Sequence, residues 1–298
     1  MSIDLDLHRL RVFVEVVRQG GFSQAAKVVF ATQPTVSKAV KQLEDELGMP
    51  LLTRTGQRSE LTAAGKIVYR RALSLLGESG DLITELDELR GLKRGTLRIG
   101  FPRLGSSALF APLYVSYRRR YPDVEVDIAI QDSKDLEELL RAGELDIAAL
   151  ASPISKDFDS QEVRTEPLVV LLPPDHALAS RKAIKLSSIA NFPLILFDEA
   201  KVNDMILDAC ADEGISPKIA AHSSQADFIV ELVAAGFGIG FLPRMIAESR
   251  PPRSVRHVLL DNPKCRWRVA LAWRRSGFLS HAAHAWLAHA REEHAKNG

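Results

Sequence analysis

Gln33, Pro34, Ser37, Lys38 and Lys41 fall on one face of a helical stretch, and no acid follows Gln33 until Glu44. Amide, hydroxyl and ammonium groups gathered on one face suit the edges of bases and the phosphates beside them. The acids Glu44, Asp45 and Glu46 collect at the far end of the stretch. Behind this face Val36, Val40, Leu43 and Leu47 recur at helical spacing and predict a buried stripe, with Gly48 as the stop. A solvated amphipathic helix is the bland alternative.

The surrounding elements must hold that face outward. Phe22 to Leu47 reads as two short helices joined by a tight turn. Ser23 is expected to cap the first, over Ala25, Ala26 and Val29. The break falls at Ala31-Thr32-Gln33-Pro34, where proline suits a first helical turn and Thr32 or Gln33 can cap. Leu7, Leu10, Phe13, Val14 and Val17 predict an earlier helix that Gly20-Gly21 ends. Pro50 to Thr62 predicts two short strands turning at Thr55-Gly56, flanked by Arg54 and Arg58. Beside a helix-turn-helix, such a hairpin reads as a wing on phosphate or the minor groove. Each arginine alone reads as a surface charge.

Thr62 is expected to cap a long helix from about Ala63 to Leu89. Leu61, Val68, Leu75, Leu82 and Leu89 repeat as a heptad seam, with Ala72 and Leu86 at companion positions. Gly77 and Gly80 weaken the helix. Its simplest partner is its own copy; packing on the second domain of the same chain is the alternative. A dimer seam would hold two recognition helices one DNA turn, about 34 Å, apart.

Composition bounds the rest. A chain of 298 residues with 46% hydrophobic content has room for more than one domain. A net charge of +1 excludes a global field for nucleic acid and requires a local patch. Two cysteines, Cys210 and Cys265, form no disulfide framework or zinc site and fit a reduced cytoplasm as buried, inert thiols. The sequence MSIDLDLHRLR lacks the pattern of a signal peptide, and no apolar run is long enough for a bilayer. The expectation is a cytoplasmic protein that does not enter a membrane.

After a hinge at Leu89 to Gly95 the texture alternates between strand and helix. Strands are expected at 96–100, 124–130, 145–150, 168–172, 194–197, 219–222, 239–242 and 266–273. Helices are expected at 108–121, 135–142, 202–213 and 228–235, with Ser280 capping a closing helix. This rhythm predicts two α/β lobes around a cleft, with ligand at the carboxyl ends of strands.

The chain resembles the LysR-type transcriptional regulators along essentially its whole length. The stretch LRVFVEVVRQGGFSQAAKVVFATQPTVSKAVKQLEDELGMPLLTRTGQRSELTAAG carries the likeness, with LRIGF, RRRYPDVEV, GELDIAAL and ELVAAGFGIGFLPR after it. The resemblance implies an α/β protein overall. It has a winged helix-turn-helix at 1–62, a dimerising linker helix at 63–90 and a two-lobed effector domain at 91–298, similar to periplasmic binding proteins. It implies a homodimer, often assembled into a tetramer, acting on double-stranded promoter DNA and through RNA polymerase. DNA contacts are placed on Ser23, Thr32, Gln33, Pro34, Thr35, Ser37, Lys38 and Lys41, and on Arg54 and Arg58 of the wing. Effector contacts are placed on Pro102, Arg103, Ser106, Ser107, Gln131, Ser133, Phe197, Asp198, Ser224 and Gln225. The loop after Gly100 is about one residue longer than the family pattern and holds Arg103, which leaves the alignment of Ser106 open.

Ser106 and Ser107 would open a helix after a strand, and Ser133 the next. Helix starts seat carboxylates, and Arg103 could clamp an anion. A small organic acid is therefore the expected effector. Asp198 and Glu199 oppose it: they would repel an anion, bind an amine or turn outward. The alternative for the serines is capping alone, with Arg103 in solvent.

Other signals point away from catalysis. Gly236-Phe-Gly-Ile-Gly240 lies between helix and strand, so it is expected to be a helix C-cap and tight turn rather than a phosphate loop. His281, His284, His289 and His294 could suggest a metal, but a solvated Ala-rich helix is expected. There is no G-x-S-x-G, H-E-x-x-H or Walker motif. No enzyme, cofactor or metal is expected. The rival readings are a cytoplasmic small-molecule-binding protein whose first domain only mediates assembly, and an enzyme built on the two lobes.

Overall fold

A computed structural model describes residues 5–55, 58–89, 95–198, 200–249 and 255–297. The chain forms two compact units. The first comprises residues 1–93 with 138–146 and 276–280; the second comprises 94–137, 147–275 and 281–298.

The first unit begins with α1 (Leu7–Arg18), α2 (Phe22–Val28) and α3 (Gln33–Leu47). Asp6 caps α1 by accepting the His8 N–H at 2.8 Å. Helix α1 packs against both α3 and the long helix α4 (Ala63–Leu89), which is why Val12 and Val16 are buried along with Leu10, Phe13 and Val14. The expected stripe omits those two valines because it assumes one covered face. Helix α2 begins two residues earlier than expected, with Gly21 as its N-cap, so Ser23 lies exposed in the first turn and caps nothing. Thr32 is the N-cap of α3, accepting the Thr35 N–H at 3.4 Å, and Gly48 ends the helix in the left-handed region at φ 66°. Val36, Val40 and Leu43 are buried as the spacing predicts; Leu47 is half-buried.

Strands β1 (Leu52–Thr55) and β2 (Arg58–Leu61) form the expected hairpin, Leu52 opposite Leu61 and Thr55 opposite Arg58. Gly56 of the expected turn lies outside the described residues. Helix α4 is continuous through Gly77 and Gly80. Thr62 caps it: its hydroxyl accepts the Gly65 N–H at 2.9 Å and donates to the Pro50 carbonyl at 2.7 Å. Gly65 has no room for a side chain, because a Cβ there would collide with the Leu51 carbonyl oxygen. Ala72, Leu73 and Leu76 of α4 are buried within this unit, while Leu75, Leu82, Ile83 and Leu86 stay exposed. The hinge residues 90–94 lie outside the described residues.

The second unit has two lobes that share one strand. In the first lobe β3 (Thr96–Pro102) pairs in parallel with β4 (Glu125–Gln131) and, on its other side, with β5 (Ile147–Ala151). Between β3 and β4 lie one π-helical turn (Ser106–Phe110) and α5 (Ala111–Arg120), where the sequence predicts one continuous helix. Helix α6 (Ser133–Arg141) follows β4. The long strand β6 (Phe158–Leu172) runs out of this sheet into the second. The sequence pattern predicts only its last five residues, because alternation from Phe158 to Glu166 is irregular and a bulge at Val163 shifts its register.

The second lobe adds β7 (Ala183–Ile184), β8 (Leu194–Phe197), α7 (Ala200–Asp212), β9 (Ile219–Ser223), α8 (Ala226–Ala234), β10 (Ile239–Pro243), α9 (Arg244–Glu248) and β11 (Arg256–Leu260). Strands β9, β8 and β10 are parallel neighbours, and β10 and β11 both lie antiparallel to β6. Neither β7, α9 nor β11 is legible in the sequence pattern. Strand β12 (Arg266–Arg274) returns to the first lobe between β5 and β6, antiparallel to both, and α10 (His281–Asn297) closes the chain.

The glycine run at 236–240 is the expected C-cap and turn. Gly236 has φ 79°, and a Cβ on Gly238 would meet the Pro193 carbonyl oxygen at 2.5 Å. Helix α10 corrects an expectation. It is not a solvated helix: Ala282, Ala283, Trp286, Leu287 and Ala290 are buried, and His289 is 5% exposed with its Nε2 2.7 Å from the Ser116 hydroxyl. Its many alanines hide the one large anchor, Trp286.

Candidate DNA-contact and effector sites

The helix that carries the candidate DNA face presents it to solvent. Thr32, Gln33, Pro34, Thr35, Lys38 and Lys41 are exposed and Ser37 is half-exposed. Thr32 and Thr35 spend their hydroxyls partly on each other, 2.8 Å apart, at the helix start. Ser23 is exposed one helix earlier. Arg54 and Arg58 stand at the hairpin ends, Arg54 opposite Ser59 and Thr55 opposite Arg58; their side chains lie outside the described residues.

The acid nearest that face is not a free charge. A single Glu44 carboxylate oxygen accepts the Leu51 N–H at 2.7 Å and the Leu52 N–H at 3.2 Å. It anchors the first strand of the hairpin to α3. The sequence offers no signal for this, since the two groups meet only once the chain has turned at Gly48.

The candidate effector residues fall into two clusters, one per lobe. Strands β3 and β4 run side by side with Pro102 opposite Gln131, so their carboxyl ends bring the two following loops together. There Arg103 Nε lies 2.9 Å from the Asp132 carboxylate, with both side chains about half exposed. Asp132 lies between the expected residues Gln131 and Ser133. Ser133, at the start of α6, is 7% exposed. Ser106 donates its hydroxyl to the Arg103 carbonyl at 3.2 Å, and Ser107 is exposed. Pro102 is buried in the strand end.

In the second lobe Phe197 pairs with Ser223, and the Asp198 N–H donates to the Ser223 carbonyl at 2.7 Å. Phe197 is buried; Asp198, Ser224 and Gln225 are exposed. Glu199 lies outside the described residues. One cation escapes the sequence reading. Lys201, in the first turn of α7, reaches across to the first lobe and donates to the Pro153 carbonyl at 3.2 Å. A lone lysine after two acids carries no sequence signal.

A buried carboxylate marks the passage of β6 between lobes. Glu166 is 2% exposed. It accepts from Arg164 Nε at 2.7 Å, and Arg244 Nε lies 3.8 Å from its second oxygen.

Cys210 and Cys265 are both buried and free, and they lie within electrostatic range of each other despite their separation in sequence. Burial pushes the Cys265 thiol up to about 11, helped by Cys210 and Glu213; burial also raises Cys210. Neither is a ready thiolate near neutral pH. Among the described residues, no group of His, Cys, Asp and Glu could hold a metal ion, and no helix is long and apolar enough to cross a membrane.

Residues 7–66 match the family model described as bacterial regulatory helix-turn-helix protein, lysR family, and residues 90–295 match the LysR substrate binding domain. The chain is similar to YwbI of Bacillus subtilis (strain 168), an uncharacterized HTH-type transcriptional regulator, at 35% identity over 96% of each chain. It is 30% identical to the HTH-type transcriptional regulator AlsR of the same organism over 80% of each chain. Among solved structures it is similar to a cysteine-to-aspartate variant of full-length OxyR from Pseudomonas aeruginosa, at 26% identity and TM-score 0.66, covering 97% of this chain and 95% of that one. Full-length BenM is similar at 25% identity and TM-score 0.61, covering 99% and 98%.

Proposed function

The chain belongs to the LysR family of DNA-binding transcriptional regulators, and we propose that a small organic carboxylate bound by its two-lobed domain controls it. The family is one of regulators, not of enzymes, which removes the catalytic rival.

The observation that carries the carboxylate reading is the pairing of Arg103 with Asp132, the residue before Ser133, at the adjacent ends of β3 and β4. Two features support it. The Arg103–Asp132 pair is half exposed, so exchanging one carboxylate for another costs little. Ser133 opens α6, where helix N–H groups favour an anion. Lys201 brings a second cation to strand ends of the first lobe. Asp198 is exposed in the second lobe and would suit the polar remainder of an effector rather than its charge.

The effector reading meets its test in a thermal-shift screen of the whole chain against small carboxylates, aromatic acids, amino acids and amines. A ligand that binds only the folded state raises the melting point by mass action. The expected hit is a carboxylate whose shift disappears in Arg103→Ala and Ser133→Ala. Hits from amines alone would move recognition to Asp198 and sink the carboxylate.

For DNA, we assign base reading to Gln33 and Ser37, and phosphate grip to Lys38, Lys41, Arg54 and Arg58, with Ser23, Thr32, Pro34 and Thr35 on the same surface. Gln33→Ala is expected to cost about 1–3 kcal/mol on the preferred duplex and to relax its sequence choice. Lys41→Ala should weaken all duplexes alike and lower the salt slope by about 1. Titrations at several salt concentrations separate the two, and an unchanged preference in Gln33→Ala would end its role as a base reader.

We assign residues 1–62 to DNA, 63–90 to dimerisation and 91–298 to the effector. Leu75, Leu82, Ile83 and Leu86 leave α4 with an exposed apolar face, which a second copy would cover. A homodimer through α4, assembled into a homotetramer, fits a regulator that works at promoters in the cytoplasm alongside RNA polymerase.

A further inference from the structure

Phe30, in the turn before the recognition helix, stands in a conformation and an exposure that folding alone does not explain. It has φ 52°, and among the described residues it is the only non-glycine with positive φ. The other left-handed positions are Gly20, Gly48, Gly105, Gly143, Gly214 and Gly236. Phe30 follows the C-cap of α2, and the Ala31 N–H closes back on the Ala26 carbonyl at 2.9 Å. That bond pattern demands a left-handed residue after the cap, where glycine or asparagine is usual and a bulky side chain is strained. The ring regains nothing by packing, since Phe30 is 98% exposed. Strain and an apolar ring in water both count against the folded state. An outlier of this kind points to a role outside folding.

The surroundings say what the ring meets. Phe30 lies two residues before Thr32, the N-cap of α3, and so directly precedes the helix that carries the exposed Gln33, Pro34 and Lys38. From Val16 to Leu43 the chain contains no Asp or Glu, and its lysines Lys27, Lys38 and Lys41 are exposed, while Arg18 is tied to Glu15 and Glu144. An acid-free stretch with three exposed lysines and one exposed ring suits a polyanion with apolar points on it. In the major groove the apolar point is the C5-methyl group of thymine, a known partner for phenylalanine.

We propose that Phe30 is a specificity-determining residue that packs on a thymine methyl beside the bases read by α3. The assignment rests on the DNA-binding reading above, and it adds a direct preference for thymine at one position of each half-site.

The test pairs a base analogue with a side-chain change in the full-length protein. Wild type first selects its preferred duplex from a random library. Each thymine of that duplex is then replaced singly by deoxyuridine, which differs only by the missing methyl. Wild type should lose about fourfold in affinity at one thymine per half-site, the effect of one methyl-sized apolar contact. Phe30→Asn, which tolerates left-handed backbone, should bind the thymine duplex about fourfold more weakly and be indifferent to deoxyuridine there. It should melt at or above the wild-type temperature, because the strain is relieved. The proposal is overturned if Phe30→Asn binds like wild type, if it still senses the missing methyl, if wild type ignores every deoxyuridine, or if Phe30→Asn melts lower. Intact DNA binding with lost activation in a promoter assay would assign the ring to a protein partner and also overturn it. A wild-type chain that selects no duplex at all would bring down the DNA-binding reading together with this one.

Discussion

Trp286→Ala should lower the stability of the second unit by about 4 kcal/mol, the upper range for deleting a buried aromatic. Trp286 is fully buried on α10 and meets Tyr117 edge-on with ring centroids 5.0 Å apart and Phe101 at 6.0 Å. Phe101 in turn stacks on Phe110 at 4.7 Å, so β3, the π-helical turn, α5 and α10 converge on one ring. The β3 end and that turn also carry Arg103 and Ser106, so the packing sets where the candidate effector residues stand. The indole N–H is buried with no hydrogen-bond acceptor. Trp286→Phe keeps most of the apolar contact and removes that stranded donor, so it should cost only about 1 kcal/mol. The protein's three tryptophans, Trp267, Trp273 and Trp286, all belong to the second unit. Urea unfolding followed by tryptophan emission therefore reports on that unit and not on the helix-turn-helix. Equal midpoints for Trp286→Ala and Trp286→Phe would refute this account of α10.

Arg164→Leu should destabilise the same unit by about 3 kcal/mol. The loss comes less from the missing cation than from the carboxylate left behind. Glu166 stays almost fully buried, and its remaining cation, Arg244, is 3.8 Å away with a half-exposed side chain. Removing both ends of the pair, Arg164→Leu with Glu166→Leu, leaves no buried charge and should recover most of the loss. The same emission-detected urea transition measures it. A double variant no better than Arg164→Leu alone would show that the arginine acts through its other contacts.

These two predictions lie where local pattern is weakest. Glu166 precedes Pro167 in a strand whose alternation is broken by the bulge at Val163, so nothing in the sequence marks it as buried. The strand belongs to two sheets at once, and its first part is not legible at all. By contrast, the α3 stripe, the Thr62 cap, the Gly48 stop and the glycine turn at 236–240 are legible, because each depends on residues within one or two helical turns of one another. The Ser23 cap fails by two residues, within the usual uncertainty of helix starts.

What the sequence alone determined is the class of the protein and the order of its parts. Periodicity set the helices, breakers set their ends, and the family motif in residues 10–65 set the function. Tertiary structure decided the pairings between distant segments. It placed Glu44 on the backbone of Leu51 and Leu52, Asp132 on Arg103, Lys201 on the Pro153 carbonyl and Cys210 near Cys265. It also left Phe30 bare in a left-handed turn. The physical reason is one of range. Local spacing determines which face of an element is apolar, whereas partners across the chain, and the burial that gives a charge or a ring its meaning, exist only after the chain has closed on itself.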